Sequence, residues 1–591
     1  MISSSSSVTA NEVDAEKQQT EFSHAPHWKL VVDRAGVTDA VLNHKYHGHG
    51  TPESPYVVEF LPQDSSNPLT YPASKKWAIT ILQALATLAV AFVSTAYSGG
   101  VFEVIHYFGI STTVATLGIS LFVFGFAVGP LLWAPLSEFY GRQIIFFISY
   151  AGLVAFSAGA AGAQNIETLV ILRFFAGAFG ASPLTNSGGV IADMFNANER
   201  GPASGVFAMA PFLGPSIGPI VGGFLGAAEG WRWIQGLMAI FTGVLWIVCA
   251  LYVPETYAPF LLRKRAEKLS QITGKVYVSK MDLAMIGGPN QTKAAQIKTA
   301  LVRPWVLLFQ EPIVLLLSIY IAIVYGTLYM LFAAFPIVFQ LNRGWGPGIG
   351  GLAFCGVAVG MILAVVLLMF DNKRYTRVAA ASPGGVAPPE ARLPGAIVGS
   401  VLLPVGLFWF AWTNGREIHW IVPIIASAVF SAGIVCVFLS LLGYLIDSYT
   451  VYAASVLAAN AVLRSLFGAA FPLFTSHMYK SLGLHWASSV PAFLALACLP
   501  CPFLFYKYGA RVRKSCKYAA EAAEVMAQML KQHKVVDPTH LATVTTREEQ
   551  QIRGNLARGE LMGEGAESRG VLSEDETIVG DEREGKEKVK P

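Results

Sequence analysis

The sequence predicts an all-α integral membrane protein: twelve transmembrane helices in two six-helix halves, with disordered cytoplasmic tails. Three observations carry this expectation. Of 591 residues, 53% are hydrophobic and only 14% charged, against about 25% charged in a soluble domain. The apolar residues gather in runs of about 20, the length that crosses roughly 30 Å of hydrocarbon. A polar connection over 254–311 divides those runs six and six.

Residues 1–74 are rich in Ser, His and Pro and too poor in apolar side chains to build a core, so they read as a cytoplasmic tail. The opening MISSSSSVTANEVDAEKQQ lacks the apolar stretch of a signal peptide, and span one is expected to serve as its own insertion signal. The N-terminal half, 75–253, holds spans at about 77–98, 111–133, 144–163, 168–192, 203–227 and 232–253. The central loop, 254–311, is basic. The C-terminal half, 312–508, holds spans at about 312–339, 347–370, 394–413, 418–444, 451–475 and 487–506. Residues 509–591 form a second tail, first basic and helix-prone, then charged and without aromatic residues.

Orientation follows from Lys and Arg, which favour the cytoplasmic loops. With the N-terminus inside, the inner loops hold fifteen such residues and the outer loops only Arg232, Arg343, Arg416 and Lys480. Both termini are therefore expected in the cytoplasm. The formal net charge of +4 is too small to suggest nucleic acid as a partner. No G-x-x-x-x-G-K-[ST] occurs, which disfavours an ATP-driven pump. No catalytic or metal-ligating constellation is present, so neither an enzyme activity nor a metal nor an organic cofactor is expected.

Span five contains LGPSIGPIVGG, with no charge from Ala203 to Ala228. Gly214, Gly218 and Gly222 recur every four residues and fall on one helical stripe, where a second backbone can approach closely in lipid. Gly223 adjoins that stripe. Pro215 and Pro219, also four apart, each remove an intrahelical hydrogen bond and favour a bend. The stripe reads as a packing and gating device.

Two cations lie inside spans: Arg173 in span four and Arg464 near the middle of span eleven. A charge at the bilayer centre costs on the order of 3 kcal/mol, so each must find a partner, a carbonyl or a wet cavity. No carboxylate sits near the middle of any span. The nearest are Glu103 and Glu167 at outer ends, and Asp193, Glu311 and Asp447 at inner ends. Asp193-x-Phe195 and Asp447-x-Tyr449 occupy matching places before spans five and eleven, a short echo between the halves. Such internal repeats accompany folds whose halves rock about a midplane site.

GPLLWAPLSEFYGRQIIFF (Gly129–Phe147) resembles the loop between spans two and three of the major facilitator superfamily, whose pattern G-x-L-A-D-R-x-G-R-K is met by Leu136, Glu138, Gly141 and Arg142. Ala134, Phe139 and Gln143 depart from it, and Glu138 stands for Asp. RFFAGAFGASPLTNSGGVIADMF (Arg173–Phe195), GPSIGPIVGG, VPETYAPFLLRKRAEKL (Val253–Leu269), EARLPGAIVGSVLLPVGLFWFAWT (Glu390–Thr413) and IDSYTVYAASVLAANAVLRSLFGAAFPLF (Ile446–Phe474) resemble fungal twelve-helix drug:proton antiporters, which export drugs, polyamines or toxins. The resemblance implies a major facilitator fold and a proton as coupling ion, with Arg173 taking part in coupling. Glu103 is the nearest candidate acid. The resemblance also implies an inner-face switch at Glu138, Gly141 and Arg142, to which Asp193 and Asp447 are added as acids that cap or bridge helix ends at the same face. Spans one and seven line the cavity in that family, which points to Tyr97, Tyr325, Tyr329, Phe332 and Phe335. Such aromatic lining suits small hydrophobic or cationic organic substrates.

The function expected is a proton-coupled secondary exporter of small organic compounds, acting as a monomer in the lipid bilayer of the plasma membrane. The alternatives are an uptake symporter of the same fold, a non-transporting receptor or scaffold, and a vacuolar location.

Overall fold

The computed structural model describes residues 26–536, apart from 63, 197–198, 281, 283–292 and 383–385. Its spanning helices are α1 (Ala73–Ala96, continued by Val101–Phe108), α2 (Thr112–Tyr140), α3 (Arg142–Ala161), α4 (Ile166–Met194), α5 (Arg200–Glu229) and α6 (Trp231–Tyr252). The second six are α7 (Pro312–Phe335, extended by the π-helical Pro336–Asn342), α8 (Pro347–Leu352 and Phe354–Ala381), α9 (Leu393–Thr413) and α10 (Ile421–Ser448), followed by α11 and α12. The last two follow one another without a loop. Ala453–Cys498 is broken at Gly483, whose φ of 75° separates α11 from α12, and Pro500–Ser515 completes α12. Among the described residues there are thus twelve spans in two sets of six, as the apolar runs required.

The ends of these helices follow from local chemistry. Ser111 accepts from the Val114 N–H and Asn165 from the Thr168 N–H, capping α2 and α4. Gly141 (φ 89°) and Gly230 (φ 88°) each connect two helices alone, α2 to α3 and α5 to α6. A side chain at either would be strained in that left-handed region. Ile171, Val244, Leu251, Leu363, Met369 and Phe370 are exposed on the outside of the bundle. Exposed apolar side chains on helices whose backbone is satisfied internally are what a lipid-facing surface requires.

The structure differs from the sequence reading on the N-terminal segment. Residues 26–72 are not a disordered tail: helix His27–Val32 packs on α6, while helix Asp39–Asn43 and strand β1 (Tyr56–Val58) fold onto the central connection. There β1 pairs in parallel with β2 (Tyr277–Ser279), Tyr56 opposite Tyr277. Val41, Tyr46 and Val58 pack on Ala266 and Leu269 of the helix Ala258–Thr273. A few apolar side chains suffice because that amphipathic helix supplies the other wall. Arg265, 1% exposed, locks the unit: Nη1 reaches Asp64 Oδ2 at 2.5 Å, Nε the Ala35 carbonyl at 3.0 Å and Nη2 the Gly36 carbonyl at 3.2 Å. Past α12, helix Lys517–Val536 begins with the Tyr518 N–H donating to Glu311 Oε1 at 2.9 Å. The rest of both expected tails, 1–25 and 537–591, lies outside the described residues.

Candidate functional site

The two halves meet along α5 against α8 and along α2 against α11. Gly makes the first seam possible. A Cβ at Gly214, Gly218 or Gly222 would overlap the backbone of α1 or Thr95 Oγ1, so one edge of α5 lies flush on α1. On the other edge, Cβ atoms at Gly223 and Gly351 would meet the carbonyls of Pro347 and Pro219 across the seam. Ser216 Oγ lies 3.3 Å from Met361 Sδ of α8. The stripe therefore packs α5 inside its own half, while the adjoining edge carries the contact between halves. Pro215 and Pro219 remain within a continuous α5, both buried.

Arg173 is 1% exposed, and the oxygens its guanidinium meets are all backbone carbonyls, with Met238 Sδ 3.9 Å from Nη1. Nε donates to the Gly118 carbonyl at 2.7 Å, Nη1 to Val93 at 3.2 Å and Nη2 to Ser94 at 3.0 Å. It lies 4.8 Å over the Tyr97 ring and 4.7 Å over Phe122. Arg173 thus ties α4 to α1 and α2 without a carboxylate. Tyr97, expected in the cavity, belongs to this clamp, and its hydroxyl donates to the Ala115 carbonyl at 3.0 Å. Glu103 is not beside Arg173. It is exposed, and its Oε2 accepts the Trp231 N–H at 2.7 Å, the geometry of a cap on α6.

Between the halves stands a cluster of rings around Arg464. Its guanidinium is 5.2 Å from the centroids of both Tyr325 and Phe438. Phe438 meets Phe212 of α5 edge-on at 5.0 Å. Tyr325 lies 5.0 Å from Tyr329, whose hydroxyl is 3.0 Å from Ser94 Oγ of α1. Gly468, one turn past Arg464, gives room to Tyr325 and to Val123 of α2. Phe332 and Phe335 are stacked with Phe354 and Phe410 respectively. Phe332 also lines a 360 Å³ cavity with Phe102, Ile119, Tyr479 and Lys480.

At the end of the bundle that carries the central connection, the ion pairs of the two halves repeat. Arg142 Nε is 2.9 Å from Asp193 Oδ2, and Arg392 Nε is 2.9 Å from Asp447 Oδ2. In each half an arginine at the start of the third helix meets an aspartate at the end of the fourth. The Asp193/Asp447 echo is thus brought into matching geometry. Glu255, which the sequence reading passed over inside VPETY, is 1% exposed and central here. Its oxygens accept the N–H groups of Arg142, Gln143, Thr256 and Tyr257 at 2.9–3.0 Å. A Cβ at Gly141 would strike it. Glu138 is exposed and has no ion pair among the described residues. Ser94, Phe212 and Phe438 were also missed, because a serine or phenylalanine within an apolar run carries no signal until its neighbours are known.

A family model for the Major Facilitator Superfamily matches residues 83–472. The chain is 60% identical over 521 residues to "MFS-type efflux pump MFS2" of Trichophyton rubrum, covering 88% of this chain and 87% of that one. It is 60% identical over 522 residues to "Major facilitator superfamily multidrug transporter mdrA" of Aspergillus fumigatus, covering 88% and 85%. The fold is similar to that of the proton:xylose symporter XylE, at a TM-score of 0.53 and 17% identity over 74% of this chain and 96% of that one. This chain is a multi-pass membrane protein of a transporter family, and it belongs to the Major Facilitator Superfamily together with these fungal efflux pumps.

Proposed function

We propose that the protein is a proton-coupled secondary exporter of small organic compounds such as drugs, toxins or secondary metabolites, working as a monomer in the plasma membrane with both termini cytoplasmic. The observation that carries the export reading is the 60% identity, over nearly the whole chain, to a protein named as an efflux pump. The geometry supports it. An aromatic site lies where the halves meet, flanked by two helix seams, and paired arginine–aspartate contacts repeat at one end. Hydrophobic compounds are taken up by the rings between Phe212, Tyr325, Tyr329 and Phe438 and released when the halves rock.

Coupling is assigned to the chain Arg173–Ser94–Tyr329. A guanidinium does not give up its proton in this range. Its part is to hold the Ser94 backbone, so that the Ser94 hydroxyl meets Tyr329 across the interface. One proton entering supplies about 2.3 kcal/mol per 100 mV and about 1.4 kcal/mol per pH unit. Together these sustain a concentration ratio of several hundred. Efflux of a panel of fluorescent hydrophobic compounds from pump-deficient cells, with and without a protonophore, tests the reading. Efflux abolished by the protonophore is expected. Accumulation in place of efflux would refute export, and protonophore-insensitive efflux would refute coupling.

A further inference from the structure

Two arginines lie within the spans, and the fold treats them oppositely. Arg173 spends its guanidinium on three carbonyls and two ring faces. Arg464 makes no hydrogen bond and no ion pair among the described residues, and its Nε is buried without a partner. Among the described residues the rings of Tyr325 and Phe438 lie against its charge.

Among the described residues no carboxylate pairs with it, and the acids at the ends of the neighbouring spans are engaged elsewhere. Glu311, at the start of α7, accepts from the Tyr449 hydroxyl at 2.7 Å and the Tyr518 N–H. Asp447, at the end of α10, is held by Arg392 and Tyr375. Asp371 of α8 is paired with Arg374. A cation kept within the span of a membrane helix with unfilled donors is costly unless something supplies the counter-charge. Its place, beside rings that touch α1 and α5 of the other half, is where a transported molecule would pass.

We propose that Arg464 is the recognition residue for an organic anion, a single carboxylate carried on a planar, hydrophobic ring. This rests on the export reading for the direction of movement only. The guanidinium fork matches a carboxylate with two parallel hydrogen bonds. The aromatic side chains beside it, Phe212, Tyr325, Tyr329 and Phe438, suit an aromatic body. One guanidinium with no second cation beside it suits a monoanion rather than a doubly charged phosphate. The rings alone would also take hydrophobic cations, but Arg464 repels them and sets the sign of the preferred ligand. Such an anion leaves a negative interior down the electrical gradient while the proton enters down the same gradient, so both movements are favoured by the membrane potential.

The test uses the purified full-length protein and two probes of one shape, 4-butylbenzoate and its neutral amide, 4-butylbenzamide. Binding is followed by tryptophan fluorescence at pH 7.5. The acid is expected to bind at least tenfold more tightly than the amide. Arg464→Gln is expected to bring the acid down to the affinity of the amide, and Arg464→Lys to restore part of the difference. Equal binding of acid and amide by the unaltered protein would overturn the proposal, as would full acid binding by Arg464→Gln. Should Arg464→Gln not fold, the comparison of acid with amide on the unaltered protein decides alone. Tight acid binding without efflux from cells would sink the export reading and leave Arg464 as the anion site. Efflux of neutral compounds with no preference for the acid would do the reverse.

Discussion

Thr95 Oγ1 of α1 donates at 3.0 Å to the carbonyl of Pro215 in α5. That carbonyl would ordinarily accept the N–H of residue 219, but residue 219 is proline and has none. Gly218 leaves the space in which the Thr95 hydroxyl sits. Helix breakers and glycines in GPSIGPIVGG are therefore one arrangement. Proline frees a carbonyl, glycine lets α1 approach, and threonine satisfies what was freed, as lipid requires.

Gly218→Leu should be poorly tolerated for this reason. Its side chain would enter the α1 backbone, and overpacking of this kind costs about 1–3 kcal/mol or more. We expect lost efflux and a lowered melting temperature in detergent. Thr95→Val, which leaves only the Pro215 carbonyl unpartnered, should cost about 1 kcal/mol. A Gly218→Leu protein with ordinary melting and transport would remove the packing role.

Arg173→Lys keeps the charge but cannot reach the Gly118, Val93 and Ser94 carbonyls together. A loss of about 2–3 kcal/mol in stability is expected. Efflux by Arg173→Ala, measured across external pH, should lose its proton dependence because Ser94 is no longer held against Tyr329. An unchanged pH profile would remove Arg173 from coupling.

Glu255→Ala would strip four backbone N–H groups of their acceptor at a buried position. We expect about 2–4 kcal/mol of destabilisation and slowed transport, since Arg142 and Asp193 are aligned by the same turn. Arg142→Ala, at a pair whose side chains are 15% and 16% exposed, should cost less in stability. Comparing the melting temperatures of the two variants checks that order.

Asp64→Ala leaves Arg265 buried and unpaired at a side-chain exposure of 1%. Breaking such a pair from one side costs about 3–5 kcal/mol. The expected result is release of residues 26–72, seen as faster hydrogen exchange and proteolysis there, with the spanning helices unaffected.

The same docking should weaken in acid. Burial, reinforced by Lys75 and opposed by a hydrogen bond to the Tyr252 backbone, pushes the His27 imidazole below its ordinary value of 6.5. The released segment therefore takes up a proton before the docked one does. His27 leaves docking unpenalised above pH 6.5 and disfavours it as pH falls below that. Hydrogen exchange over 26–33 should be faster at pH 5.5 than at 7.5, and His27→Gln should flatten the difference.

The amino-acid sequence determined the number of spans, their division six and six, the packing stripe of α5 and the two acids that echo between halves. Each is a property of a segment or of its spacing, and a bilayer reads segments one at a time: twenty apolar residues cross it whatever lies next to them. The N-terminal segment escaped that reading because its few apolar residues become a core only against the helix Ala258–Thr273, some two hundred positions away. The charges were harder still. Arg173 and Arg464 look alike in sequence, each a lone cation in an apolar run. Only the crossing of α4 over α1 and α2 gives the first three carbonyls, and only the meeting of α7, α10 and α11 leaves the second with rings and no acceptor. Hydropathy is local, whereas the partner of a buried charge depends on which helices cross at its depth, so the tertiary structure alone decided which arginine is clamped by carbonyls and which is left against rings.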